Sequence, residues 1–140
     1  MAGAQRSQDG GDRLPLARDA QARARPRLAA AAKDGVRIIK LDGSPHVGEN
    51  IVLWQGDSRG HFEGDTLVVE TTNQNGMPRL DQRGHFYTDA ARVTERFTLF
   101  DANSMLYEVT MDDPLVYTRP FTMAFGLRRN TRQGFELWEE

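Results

Sequence analysis

Residues 56–73 read GDSRGHFEGDTLVVETTN, and the fold is read outward from them. The stretch predicts a β-hairpin, with one strand over 59–63, the next over Thr66–Thr72, and Gly64-Asp65 as a two-residue connection. Gly takes the positive φ that a tight primed turn needs, because it has no Cβ to clash. Side chains alternate along a strand. Leu67, Val69 and Thr71 therefore share one side, and Val68, Glu70 and Thr72 the other.

The same period of two recurs downstream. Residues 91–100 (ARVTERFTLF) and 105–111 (MLYEVTM) predict a second hairpin across 101–104. Val93, Glu95, Phe97 and Leu99 share a face of its first strand, and Met105, Tyr107, Val109 and Met111 a face of its second. Asp112-Asp113-Pro114 ends that run, since Pro cannot extend a central strand. Phe121–Arg128 alternates cleanly, and 135–139 reads as a last strand after a turn at 130–134. Upstream, 36–41 (VRIIKL) and 51–54 (IVLW) are short apolar runs separated by a loop at 44–49. That makes about eight closely spaced strands, the pattern of an antiparallel barrel or sandwich. The expected fold is mainly β: an antiparallel β-barrel-like, calycin-like meander or a sandwich over 36–140. The longest irregular stretch is 73–89, and loops of that length are often functional.

Residues 1–35 differ in character. They hold seven basic residues against four acidic ones, a net +3, which leaves −5 for the rest. Residues 1–12 are rich in Gly, Gln and Asp and are expected to be disordered. Ala, Arg and Leu favour helix over 15–33, interrupted at Pro26, with Gly35 as a C-cap. The expectation is a helical or disordered leader over 1–35. It contains no apolar stretch of the secretory-signal kind.

Composition bounds the function. A chain of 140 residues fits one domain and can bury a core without staples. No apolar run approaches the ~20 residues of a membrane span. A net charge of −2 argues against nucleic acid as the main partner. With no cysteine, disulfides, zinc-thiolate sites and thiol catalysis are excluded.

Several short motifs together carry a resemblance. They are Arg37-Ile38-Ile39 with Leu41-Asp42-Gly43, Pro45-His46, and Trp54 followed by GDSRG and EGDTLVVETTN. Further on come Thr94-Glu95-Arg96-Phe97-Thr98, Tyr107-Glu108 with Asp113-Pro114, and Thr118-Arg119-Pro120. From about residue 34 to 138 the chain resembles a family of uncharacterised exported proteins of environmental bacteria. The resemblance implies a β-rich fold and a periplasmic or extracellular location, and no particular reaction. Members usually carry Arg and Trp where this chain has His61 and Phe62. They also extend beyond the matched region at both ends.

The chain contains a near-repeat. Residues 57–65 and 81–89 share D-x-R-G-H-F-x-x-D. Paired in space, His61, His85 and an Asp would suit a divalent metal, since imidazole and carboxylate together fit zinc and similar ions. The plainer reading makes each copy a polar approach to a hairpin, with no metal and no cofactor.

Glu95 stands between Val93 and Phe97 on the face expected to be buried. A carboxylate there must be paired or shifted in pKa. It could act as a general acid/base or hold a ligand hydroxyl, or it could pair with an Arg across the sheet. Gly56-Asp57-Ser58 matches the nucleophile block of one lipase family, with His46 or His85 as the base. The alternative is that Asp57 and Ser58 shape a turn through side-chain bonds to the backbone. Glu63, Glu70, Glu95 and Glu108 supply carboxylates for glycoside hydrolysis, and Trp54, Tyr107, Tyr117 and Trp138 could stack on a sugar.

Three functions follow as expectations. The first is a β-barrel-like module binding a small ligand through Trp54, Arg59, His61, Glu63, Arg96 and Tyr107. The second is a hydrolase of a glycoside or ester, using Glu95, His46, His85 and Asp57 as catalytic candidates. The third is a structural domain that self-associates, since an exposed sheet edge invites a homodimer. No nucleic acid or membrane partner is expected.

Overall fold

The computed structural model describes residues 27–32, 35–77 and 84–132. Within them seven strands form one mixed sheet: β1 (Arg27–Ala32), β2 (Gly35–Lys40), β3 (Asp57–Glu63), β4 (Thr66–Thr72), β5 (Arg92–Leu99), β6 (Ser104–Asp112) and β7 (Phe121–Arg128). Their order in the sheet follows the sequence, and β1 and β7 are its two outer strands, so the sheet is open. The described residues contain no helix, and hence none that could cross a membrane.

The chain is mainly β, as expected, and β3 to β7 form an antiparallel meander. The central hairpin closes at the Glu63↔Thr66 pair, with Gly64 at φ +60 as the first residue of its two-residue turn. Only glycine adopts that angle without steric cost.

Three expectations need correction. Arg27–Ala32 is a strand, not helix: all six residues pair with β2, from Arg27↔Lys40 to Ala32↔Gly35. Helix propensity is a weak preference, and a neighbouring strand's hydrogen bonds override it. Gly35 accordingly begins β2 and caps no helix. The sheet is also not wholly antiparallel, because β2 runs parallel to β3 over Ile39↔Ser58 and Lys40↔Arg59. Finally, residues 51–54 form no strand. Their backbone is tied to the end of β4 instead: Leu53 N donates to Asn73 O (2.8 Å), and Asn73 Nδ2 donates to Gly48 O and Ile51 O (3.1 and 3.0 Å). The strand expected at 135–139 and the leader at 1–26 lie outside the described residues.

Strand register sets the faces. Ile39, Ser58, Thr71, Val93, Met111 and Phe121 form one row across β2 to β7. Gly60, Val69, Glu95, Val109 and Met123 form the next row, and Phe62, Leu67, Phe97, Tyr107 and Phe125 the one after it. Val69 is fully buried, and Ile39, Met111 and Val109 nearly so. Burying a side chain such as Val69 contributes about 1.5–2 kcal/mol. At one end Tyr87, Ala91 and Met111 form a core cluster, packed against Val93, Tyr117 and Phe121.

The sheet is curved. Neighbouring strands lie about 4.8 Å apart, so a flat sheet would set β2 and β5 about 14 Å apart. Yet Arg37 on β2 reaches Glu95 on β5 with an N–O distance of 2.7 Å. Gly60 helps β2 close down on β3, because a Cβ there would sit 2.7 Å from Leu41 Cδ2 and 2.8 Å from Ile39 Cγ2.

Candidate functional site

Polar groups form two clusters, one on each side of the sheet, both held by β2 and its crossover to β3. Asp57 opens β3 and is buried. Its Oδ2 accepts three bonds: from Arg59 Nε (3.0 Å), from Val47 N (3.2 Å), and in a 2.9 Å contact with His46 Nδ1. Arg59 Nη1 also donates to Ser44 Oγ (2.9 Å). Ser44 in turn bonds Asp42 and holds that exposed carboxyl below its usual pKa. The loop after β2 is thus stitched to β3 by one carboxylate. A proton on Nδ1 leaves His46 Nε2 as an acceptor. That atom is buried and has no hydrogen-bond partner among the described residues.

The second cluster centres on Glu95, which is 5% exposed. Arg37 grips it through both terminal nitrogens, Nη1 to Oε2 at 2.7 Å and Nη2 to Oε1 at 3.1 Å. Tyr107 Oη donates to Oε1 at 2.9 Å. Burial, and then the Glu95 charge, push the Tyr107 phenol above its ordinary pKa. Its ring lies between Phe97 and Phe125, with centroids at 4.9 and 6.1 Å. Glu95 is therefore paired across the sheet, and a proton-transfer role would require it to leave that pair.

Other candidates lie elsewhere. His61, Glu63 and Arg96 meet on the face opposite Glu95, further along the side that Asp57 and Arg59 occupy: His61 Nε2 lies 3.2 Å from Glu63 Oε1, and Arg96 Nη2 donates to Glu63 Oε2 at 2.7 Å. Arg96 and then His61 hold the Glu63 carboxyl below its usual pKa. His85 is exposed in the chain before β5, and Trp54 is 59% exposed in the crossover. No group of three His, Asp or Glu side chains is placed to hold a metal ion among the described residues.

Ser58 does not shape a turn. Its hydroxyl lies 2.9 Å from Thr71 Oγ1, and both are buried. The turn falls one residue before Asp57, at Gly56, with φ +73 and Gly56 N donating to Leu53 O. A Cβ on Gly56 would stand 2.6 Å from Thr72 O, so the close approach also demands glycine.

A cleft of about 590 Å³ opens beside Asp57. It exists because β2 and β3 pair at only two positions and separate before them. Val36, Ile38, Val47 and Leu53 supply apolar wall, and Arg37, Lys40, Gln55 and Asp57 polar groups. Arg37, quoted in the sequence only as part of a motif, is the site residue that was not singled out as a candidate. The available signal was parity: Arg37 shares a side of β2 with Ile39, the buried side, as Glu95 does on β5.

Compared with models of known protein families, with curated proteins and with solved structures, the chain matches none.

Proposed function

We propose that this chain is a small-ligand-binding β module, its sheet curled as a partial, calycin-like barrel, with the cleft between β2 and the start of β3 as the binding site. The observation that carries the reading is the cleft itself. Its volume falls in the range of small-molecule sites, and it combines apolar wall with a few fixed polar groups. The polar floor is pre-organised, because Asp57 is held by three donors and Arg37 by Glu95. Pre-organisation lowers the ordering cost of binding. The ligand expected is a compact molecule with one apolar side and hydrogen-bonding groups on the other. Screening a fragment library by NMR tests this. Hits should shift amides of residues 36–40 and 53–58, and Ile38→Asp, at a half-exposed wall position, should abolish them. Hits that leave those amides unmoved would end the reading.

A second reading, a hydrolase, is favoured by the His46–Asp57 contact alone. A carboxylate on Nδ1 orients imidazole so that Nε2 can take a proton from water or a hydroxyl. A panel of chromogenic esters and glycosides decides it. Turnover lost in His46→Gln supports it, and turnover that survives rejects it.

A further inference from the structure

The tip of the β5–β6 hairpin and the end of β7 enclose two hollows far along the sheet from β2. One, of about 300 Å³, is floored by Leu99, Met105 and Leu127, which stand opposite one another in register. The other, of about 510 Å³, is rimmed by Asp101, Asn103, Arg128, Arg129 and Thr131. The two share Ala102, Asn103, Ser104, Arg128 and Arg129, so they are contiguous. The combined space is apolar at its inner end and basic at its mouth.

Among the described residues the basic groups of the tip form no ion pair. Asp101 is the one acidic residue among the described residues of the rim, and its Oδ1 accepts from Asn103 N at 2.7 Å. Phe100 N donates to Ser104 O at 3.0 Å, which closes the turn. Arg129 N donates to Asn103 O at 2.8 Å, which fixes the end of β7 against the tip. Arg128 and Arg129 have no carboxylate partner among the described residues. Leu127 is an exposed apolar residue of the lining, at 42%. A guanidinium favours a carboxylate, which one such group can bind through two parallel bonds.

We propose that this tip is a second binding site, separate from the cleft, for a medium-chain aliphatic carboxylate. The chain would lie over Leu99, Met105 and Leu127, and the carboxylate would meet Arg128 and Arg129. A hollow of about 300 Å³ has room for roughly ten non-hydrogen atoms, reckoned from the ~30 Å³ a water occupies in the liquid. Octanoate matches that size and charge pattern.

The test is titration of the full chain with octanoate and with octan-1-ol, followed by amide NMR. Octanoate should shift residues 99–105 and 127–129, and octanol should bind at least tenfold more weakly. Arg128→Gln with Arg129→Gln should erase the preference for the acid, and Leu127→Asp should abolish binding of both. All three positions are exposed, so these variants should fold. Equal binding of acid and alcohol, octanoate shifts confined to residues 36–58, or no shift at 10 mM octanoate would each overturn the proposal. So would a concentration-dependent dimer that Leu127→Asp dissociates, since the face would then belong to a second copy. Because these residues lie outside the cleft, loss of this site leaves the cleft reading standing, and the reverse holds too.

Discussion

Residues 57–65 and 81–89 are identical at six of nine positions and take different paths. The first copy is β3 and its two-residue turn, with Gly60, His61 and Phe62 paired to Val69, Val68 and Leu67. The second, described from Gly84 onward, is connecting chain that leads into β5. The copies differ at Ser58 against Gln82 and, at the turn, where Glu63-Gly64 is replaced by Tyr87-Thr88. Gly64 takes φ +60 and turns the chain back on itself. A β-branched Thr resists that angle. Tyr87 and Thr88 do other things: Tyr87 is buried with Ala91 and Met111, and Thr88 is held by Asp113. The lesson is that two positions, rather than the shared motif, decide whether the segment becomes a hairpin.

The largest expected effect comes from releasing the second copy. Asp113 is fully buried and accepts from Thr88 N (2.6 Å), Thr88 Oγ1 and Leu115 N (3.1 Å). Asp113→Ala should cost about 3 kcal/mol, because it removes charge-assisted bonds and strands buried donors. The thermal midpoint should fall by roughly ten degrees. Amide exchange should rise over 84–91 first and leave 57–65 protected. Exchange rising equally in both copies would break the contrast.

The matched glycines give the next test. Gly60 lies under Leu41 and Ile39, whereas a Cβ at Gly84 would meet nothing within 4 Å. Gly60→Ala should cost about 2 kcal/mol from overpacking. Gly84→Ala should cost about 1 kcal/mol, from its φ of +94 alone. Urea unfolding measures both, and the reverse order would contradict the packing described.

Gly64→Thr makes the first copy resemble the second at its turn. It should cost about 1.5 kcal/mol, the penalty for a side chain in the left-handed region. Weakened protection should centre on Glu63 and Thr66. An unchanged stability would mean that the turn glycine is not what separates the copies.

The smallest effect is expected at Glu63, whose place in the second copy is taken by Tyr87. Its ion pair with Arg96 is exposed, so Glu63→Gln should leave the thermal midpoint unchanged within error. The pH sign still follows. A carboxyl lowered in the folded state adds stability above its ordinary range and loses it as pH falls through the folded value. NMR titration should place Glu63 below an ordinary glutamate, and Arg96→Ala should move it up.

Periodicity made the meander legible. The alternation in TLVVETT, RVTERFTL and FTMAFGLR located β4, β5 and β7 to within a residue or two. It also put Glu95 and Tyr107 on faces that proved to meet. The candidate site was legible only in fragments, because Asp57, Arg59 and His46 stood out by chemistry but their convergence did not. Their spacing in sequence, 44 to 59, contains the crossover that the apolar run IVLW made look like a strand.

The sequence by itself determined the local events of the meander: where β3 to β7 run, which side chains share a face, and where glycine permits a turn. These depend on alternation and on backbone angles, which neighbouring residues set. The tertiary structure alone decided that RLAAAA joins the sheet, that β2 meets β3 in parallel, and that Arg37 pairs with Glu95. Each of these joins residues whose contact depends on which strand edge is free and how the sheet curves. A backbone hydrogen bond across strands carries no side-chain signature, so the pairing partner of β2 was not written in its residues.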